Sequence, residues 1–386
     1  MSLVKRYILA AFVPLLVLLA ALAPAAARST IQLENGTSLS FAEGSVDMAS
    51  GSGELLDVAL LEGDEILLRA DYLRIDASGS FGGSDWFVHE LVAENAELPE
   101  EQTFVGKIEL RDIAFGMLTG DEPPANVEDL VTEDSLVRVA NVGFSSPEAI
   151  VSVDLMETLP FAFDMMANGE LVMTSAGFDV RGVTVMAQDG SGEENPFFAA
   201  LEERGITDLG MDLRFETLAE VGTSDLTIYY GIETAIGDLS AIGLGFAFSI
   251  SQDAYQNLVP LLSDTEDNAA ALLGLSGTVV LEGAELVIED AGAIDIMLAI
   301  AAEEEGVGED EMRFMTRMML GTSLQQIFPG TAARLMPPIE AMINSGGRLT
   351  IDAQPPTPVP LSSAIGFVML PDMAIDQLGI TVTHTP

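Results

Sequence analysis

The sequence predicts an α+β protein: a long, curved, mainly antiparallel sheet of kinked strands, with helices concentrated in the C-terminal third and packed on one face. Three observations predict it. Short apolar alternations bounded by Gly, Asn, Asp and Ser run through the first two thirds of the chain, as strands require. Several of them carry the same defect. In Lys107 to Met117, Ile108 and Leu110 alternate, and Ile113 and Phe115 resume one residue out of phase, so both pairs share a face only if Asp112 marks a β-bulge. Beyond Ser251 the apolar spacing becomes helical, interrupted by single strands. That order of runs, with short connections between strands, favours α+β over a doubly wound fold.

The kinked frame recurs as Leu91, Ala93, Asn95, Ala96, Leu98, as Val137, Val139, Asn141, Val142, Phe144, as Phe178, Val180, Gly182, Val183, Val185, and as Val279, Leu281, Gly283, Ala284, Leu286. Leu68, Ala70, Tyr72, Leu73, Ile75 is a weaker version. Asp, Asn and Gly tolerate the left-handed backbone that such kinks use. Asp112, Asn141, Gly182 and Gly283 are therefore the expected bulge positions.

Lys5 and Arg6 precede an apolar run from Tyr7 to Ala23, and Ala25, Ala26 and Ala27 supply a small-residue cleavage site. Residues 1 to 27 read as a secretory signal peptide, which implies an exported, periplasmic protein starting near Arg28. An uncleaved anchor is the competing reading, since ~20 apolar residues span a bilayer. Pro14 and Pro24 favour cleavage. No other segment reads as a membrane span.

With 15 Lys and Arg against 61 Asp and Glu, the formal charge is -46, so phosphate backbones are repelled and nucleic acid is excluded as a partner. Hydrophobic residues still make up 48%, enough to bury a large core. The acidity fits a protein kept soluble in a salty medium that screens its charges, with a basic partner as the other explanation. There is no cysteine, which excludes disulfides, thiol catalysis and Cys-ligated metals.

Along the mature chain, Leu56 to Ala70 reads as a hairpin, the Gly- and Ser-rich Ala77 to Asp85 as a loop, and Trp86 to Leu98 as a further strand. Asp121 to Ala125 (DEPPA) and Gln188 to Asn195 read as linkers or long loops. Ser146-Pro147-Glu148 suits a helix start, yet the residues after it suit a strand. A short helix is expected around Phe161 to Ala167. Asn195 and Pro196 open another that closes at Gly205. Strands follow near 210–217, 225–233 and 239–250; in the last, Ile242, Leu244, Phe246, Phe248 and Ile250 form a bulky face opposite Gly243, Gly245, Ala247 and Ser249. Helices are expected over 254–262, 266–275, 290–305, 310–320 and 338–344, with strands over 278–288 and 348–353. A broken helix over 361–377 and a strand at Ile380 and Val382 close the chain. The organisation expected is a strand-rich part over 28–195 and an α+β part over 196–386, or one continuous domain over 28–386.

Chemistry-bearing residues are few. His89 and His384 are the two histidines, each expected to be structural or solvated, and no serine-hydrolase elbow, phosphate loop or zinc-binding helix motif is present. The acidic runs Asp189 to Glu194, Asp264 to Asp267 and Glu303 to Glu305 lack the spacing of a calcium loop. No catalytic, cofactor or metal residue is assigned. Met297, Met312, Met315, Met318 and Met319 crowd one helical region, and thioethers fill irregular cores or line surfaces for varied apolar ligands. With Phe246 and Phe248 they form the expected lining of an apolar ligand site.

The bent strands, the strand-to-helix segment Gly277 to Glu305, and Gly347-Arg348-Leu349-Thr350-Ile351 followed by Pro355 to Pro360 resemble the AsmA-like and YdgA-like envelope proteins. The resemblance implies export, long curved sheets with apolar concave sides, and a link to lipid traffic and outer-membrane upkeep. It carries no functional residue across. The expectation is thus a non-enzymatic envelope protein that binds a lipid-like or other apolar ligand and works beside an envelope protein partner. The second reading is an acidic interaction or structural module, and the third a carboxylate-based hydrolase.

Overall fold

The computed structural model describes residues 29–32, 37–47, 49–50, 52–62, 65–79, 87–99, 102–114, 131–145, 149–187, 196–263, 277–363, 367 and 370–386. The signal-peptide segment, the DEPPA and 188–195 linkers, the ambiguous 146–148 start, the 266–275 helix and the three acidic runs except Glu303 to Glu305 lie outside the described residues. Strand accounts for 59% and helix for 24%, so the fold is predominantly β, which corrects the expected α+β class. The helices are C-terminal as expected, but most of the chain forms antiparallel strands.

Two compact units divide the chain: Met1–Phe163 with Leu171–Val185, and Asp164–Glu170 with Met186–Pro386. In the first, β1 (Ser29–Gln32), β2 (Thr37–Phe41), β3 (Glu43–Asp47), β4 (Ser52–Glu62), β5 (Glu65–Ser78), β6 (Phe87–Leu98), β7 (Thr103–Ala114), β8 (Val131–Ser145) and β9 (Ala149–Thr158) follow one another. β10 (Ala162–Met165) replaces the helix expected over 161–167, and β11 (Leu171–Ala187) follows it. From β4 to β9 each strand pairs antiparallel with the next, β2 and β3 both pair with β4, and β9 also pairs with β11. Leu39, Leu55, Leu73, Val88, Leu91, Ile108 and Ile113 lie in one buried core cluster. At about 25 cal/mol per Å2 of apolar surface removed from water, such a cluster is the main stabilising term of this unit.

A transverse crease crosses this sheet. Asp57, Asp71, Asn95, Gly106, Asn141 and Asp154 stand opposite one another on β4 to β9, at positions where the ladder pairing is skipped. Gly182 on β11 faces Asp154. On alternate strands the crease residue is left-handed, with φ of 49° at Asp57, 52° at Asn95, 54° at Asn141 and 63° at Gly182. Asn95 donates to Asp71 across it at 2.8 Å. Each strand there jumps three residues between core positions, from Leu55 to Val58, Ala70 to Leu73, Ala93 to Ala96 and Val105 to Ile108.

The kink thus keeps the apolar pairs on one face, as the sequence frame required, but by a different device. Because facing strands jump together, register is unchanged at Asn95 and Asn141, so no extra residue is absorbed there. A true shift does occur at Asp112, whose φ is 46°. Gly283 is not in the left-handed region; there the register slips between Ala247 and Phe248 because Glu282 is the extra residue.

In the second unit α1 (Pro196–Glu203) begins with proline at its first position, which lacks only a donor that would be unsatisfied there. β12 (Asp208–Val221), β13 (Asp225–Ile236) and β14 (Ser240–Ser251) form the antiparallel region anticipated from sequence, and α2 (Gln252–Ser263) follows. β15 (Val280–Asp290) leads into α3 (Ala293–Glu305). Asp290 Oδ1 accepts from the Ile294 N–H at 2.9 Å, satisfying one orphan donor of that helix start. α4 (Glu309–Ile327) and α5 (Ala332–Ser345) run longer than expected, and α5 holds Pro337 and Pro338 inside it. β16 (Gly347–Ala353), β17 (Val359–Pro360), α6 (Pro371–Gln377) and β18 (Ile380–Thr385) complete the unit.

Candidate functional site

The sheet of the second unit has two unlike faces. Ladder pairing runs from Phe215 through Ile232, Leu244, Leu286 and Ile351 to Val382, an unbroken apolar row across β12, β13, β14, β15, β16 and β18. The neighbouring row carries Tyr230, Phe246, Ala284, Ala353 and Ile380. Directly opposed residues share a face, so these rows lie side by side.

Helices cover only part of that face. α5 packs on β16 and β18, where Leu349 and Ala353 are buried, and α2 packs on β13 and β14, where Leu226 and Ile250 are buried. Between them Tyr230, Ile232 and Ile242 remain exposed by close to two fifths, and Leu244, Phe246 and Phe248 are half-buried. The rings of Phe246 and Phe248 stack at 6.0 Å, and Tyr230 meets Phe248 edge-on at 6.2 Å. Burial pushes the phenol of Tyr230 up; burial and then the Tyr230 charge push up that of Tyr255 on α2. Both stay neutral and hydrogen-bond capable at the border of an apolar surface.

The opposite face is bare. Gly231, Gly245, Ala247 and Gly283 floor a depression of about 420 Å3, with Leu218 and Tyr229 on one side and Glu216, Glu285 and Asp352 at its rim.

The methionines do not join this surface into a single lining. Met312 is buried with Leu298 and Ala302 between α3 and α4, and Met315 packs against that cluster. Met318 lies with Phe314, Arg317 and Glu340 in a separate groove of about 580 Å3. Met297 and Met319 are exposed by 68% and 71%. Of the expected lining, only Phe246 and Phe248 come together. Tyr230, Ile232 and Tyr255 were missed, and a pairing of β13 with β14 by hydrophobic phase would have found the first two.

His384 bonds through Nε2 to the Gly346 carbonyl at 2.7 Å, tying β18 to the end of α5. Among the described residues no group of His, Asp and Glu side chains comes together to hold a metal ion, and no helix is long and apolar enough to cross a membrane.

A protein-family model described as an uncharacterized protein matches residues 235–385, which runs from the end of β13 through β18 and covers less than half of the chain. A comparison with curated proteins finds no match.

Proposed function

We propose that this is an exported, non-enzymatic envelope protein whose second unit binds an elongated apolar or lipid-like ligand on the half-exposed face of its sheet. The observation that carries the reading is the apolar row from Phe215 to Val382, uncovered in its middle between α2 and α5. A contiguous apolar surface left in water favours whatever removes it from water, at about 25 cal/mol per Å2. Aromatic rings at its border with polar phenol edges suit a ligand having one apolar and one wet end. The N-terminal pattern of residues 1 to 27 supports export to the periplasm, and the resemblance to AsmA-like proteins points to the same class of role.

Native mass spectrometry and lipid extraction of protein purified from its own host test the reading. The expected result is a copurifying apolar ligand. A ligand-free preparation that also refuses fluorescent fatty acids overturns it.

One observation favours a second reading, an acidic module for a basic partner: Glu216, Glu285 and Asp352 ring the bare depression on the opposite face. Binding that weakens steeply with salt, with no lipid copurifying, is its mark.

A further inference from the structure

In the first unit, away from the apolar face, Ser78, His89 and Asp112 meet on three adjacent strands. Ser78 Oγ lies 2.9 Å from His89 Nε2, and His89 Nδ1 lies 3.5 Å from Asp112 Oδ1. The fold builds this arrangement through two irregularities. Register slips between Asp76 and Ala77, so His89 is the extra residue of β6 and its ring turns toward the end of β5. On β7, Asp112 takes a left-handed backbone opposite His89, and the Ser135 hydroxyl donates to its carbonyl. One tautomer satisfies both contacts of the imidazole: the proton on Nδ1 is given to Asp112, and Nε2 accepts from Ser78.

We propose that Ser78 is a nucleophile activated by His89, with Asp112 as the positioning residue, and that it is acylated by small uncharged carboxylic esters. Ser78 Oγ attacks the ester carbonyl carbon while its proton passes to Nε2. The tetrahedral adduct collapses, the carbon–oxygen bond to the alcohol breaks, and the leaving alkoxide takes the proton back from Nε2. Water, deprotonated by Nε2, then attacks the acyl-serine and releases the carboxylic acid, returning the proton to Oγ. The Phe87 ring, 5.2 Å from the His89 ring, gives an apolar side for the acyl group. Glu90 and Asp76 on the neighbouring positions repel anionic esters.

The side chains of His89 and Asp112 are exposed by 46% and 32%, so solvent screens the charge that develops on them. The contact of 3.5 Å to Asp112 is that of an unliganded site, which tightens when a reacting group binds. The readout expected is therefore covalent acylation of Ser78 more than fast turnover.

The full chain is incubated with p-nitrophenyl acetate and, separately, with an uncharged fluorophosphonate, and adducts are mapped by peptide mass spectrometry. The expected result is an adduct on Ser78, absent in Ser78→Ala and formed about 10²-fold more slowly in His89→Gln. Asp112→Asn, which keeps a residue that tolerates the left-handed backbone, slows acylation while leaving the thermal unfolding midpoint in place. No adduct on Ser78, or equal labelling rates in wild type and His89→Gln, overturns the proposal.

Discussion

Gly182 on β11 faces Asp154 on β9 so closely that a Cβ at position 182 would overlap the Asp154 carboxylate. Its φ of 63° adds a second obstacle, because a β-branched residue is strained in the left-handed region. Gly182→Val is expected to destabilise by at least about 1 to 3 kcal/mol. Thr184→Val, at a half-buried strand position two residues on, is expected to stay within about 0.5 kcal/mol. Urea unfolding of both variants checks this, and equal midpoints would remove the steric argument.

Asn141 occupies the same crease with φ 54° and has a side chain that tolerates it. Asn141→Val is expected to cost about 1 to 2 kcal/mol, from left-handed strain. Asn141→Gly is expected to change stability by less than about 1 kcal/mol, since relieved strain offsets lost backbone restriction. The ordering of the two by thermal unfolding is the measurement. A Val variant as stable as the Gly variant refutes the role of the left-handed backbone.

Glu109 on β7 is 3% exposed and is held by Lys107 at 3.1 Å, by Arg111, and by Arg138 of β8 at 3.9 Å. Burial pushes its carboxyl up, but the Lys107 hydrogen bond and the Lys107 and Arg111 charges together outweigh burial and leave it below the usual 4.5. A carboxyl lowered by folding contributes stability that is full above its unfolded pKa and lost as pH falls through its native one. Glu109→Gln is therefore expected to cost about 1 to 3 kcal/mol at neutral pH, with the gap to wild type shrinking below about pH 4.5. Denaturant titrations across that range decide it, and a gap that widens in acid contradicts the sign.

Ile232 lies in the uncovered middle of the apolar row, whereas Met297 projects from α3 into solvent. Burying an isoleucine under a ligand is worth about 1.5 to 3 kcal/mol. Ile232→Glu is expected to weaken fluorescent fatty-acid binding by more than about tenfold. Met297→Ala is expected to leave it unchanged. The opposite pattern would move the site from the sheet to the helices.

The crease was legible because it leaves a local signature: Asn95, Asn141 and Gly182 supply the backbone, and apolar pairs on either side carry the three-residue jump. Asp57 escaped notice because Leu55, Leu56, Val58 and Ala59 form a continuous apolar run around it, which hides the change of phase. The fold class was misjudged for a different reason. Helical spacing in the last third is a strong local signal, while strands such as β11, 17 residues long, are fixed by neighbours that lie far away in sequence. Local propensity likewise misread 162–165, which are extended in the fold. The apolar row from Phe215 to Val382 takes one residue from each of six strands, so no single segment displays it. The serine, histidine and aspartate at 78, 89 and 112 meet through a register slip that composition cannot reveal.

The aligned crease also works as a key between strands during folding. In a plain ladder, a strand displaced by two residues keeps its apolar side inward and loses little, which makes such errors hard to reject. Here a displaced β8 would set Asn141, with its left-handed backbone, opposite an ordinary extended residue of β7 instead of Gly106. Its core residues on one side of the jump would then meet polar ones. Only one alignment lets all the jumps coincide. A sheet built mainly by sequential antiparallel additions thus carries an internal check on each new strand, and foreign strands lacking the jump are refused at its growing edge.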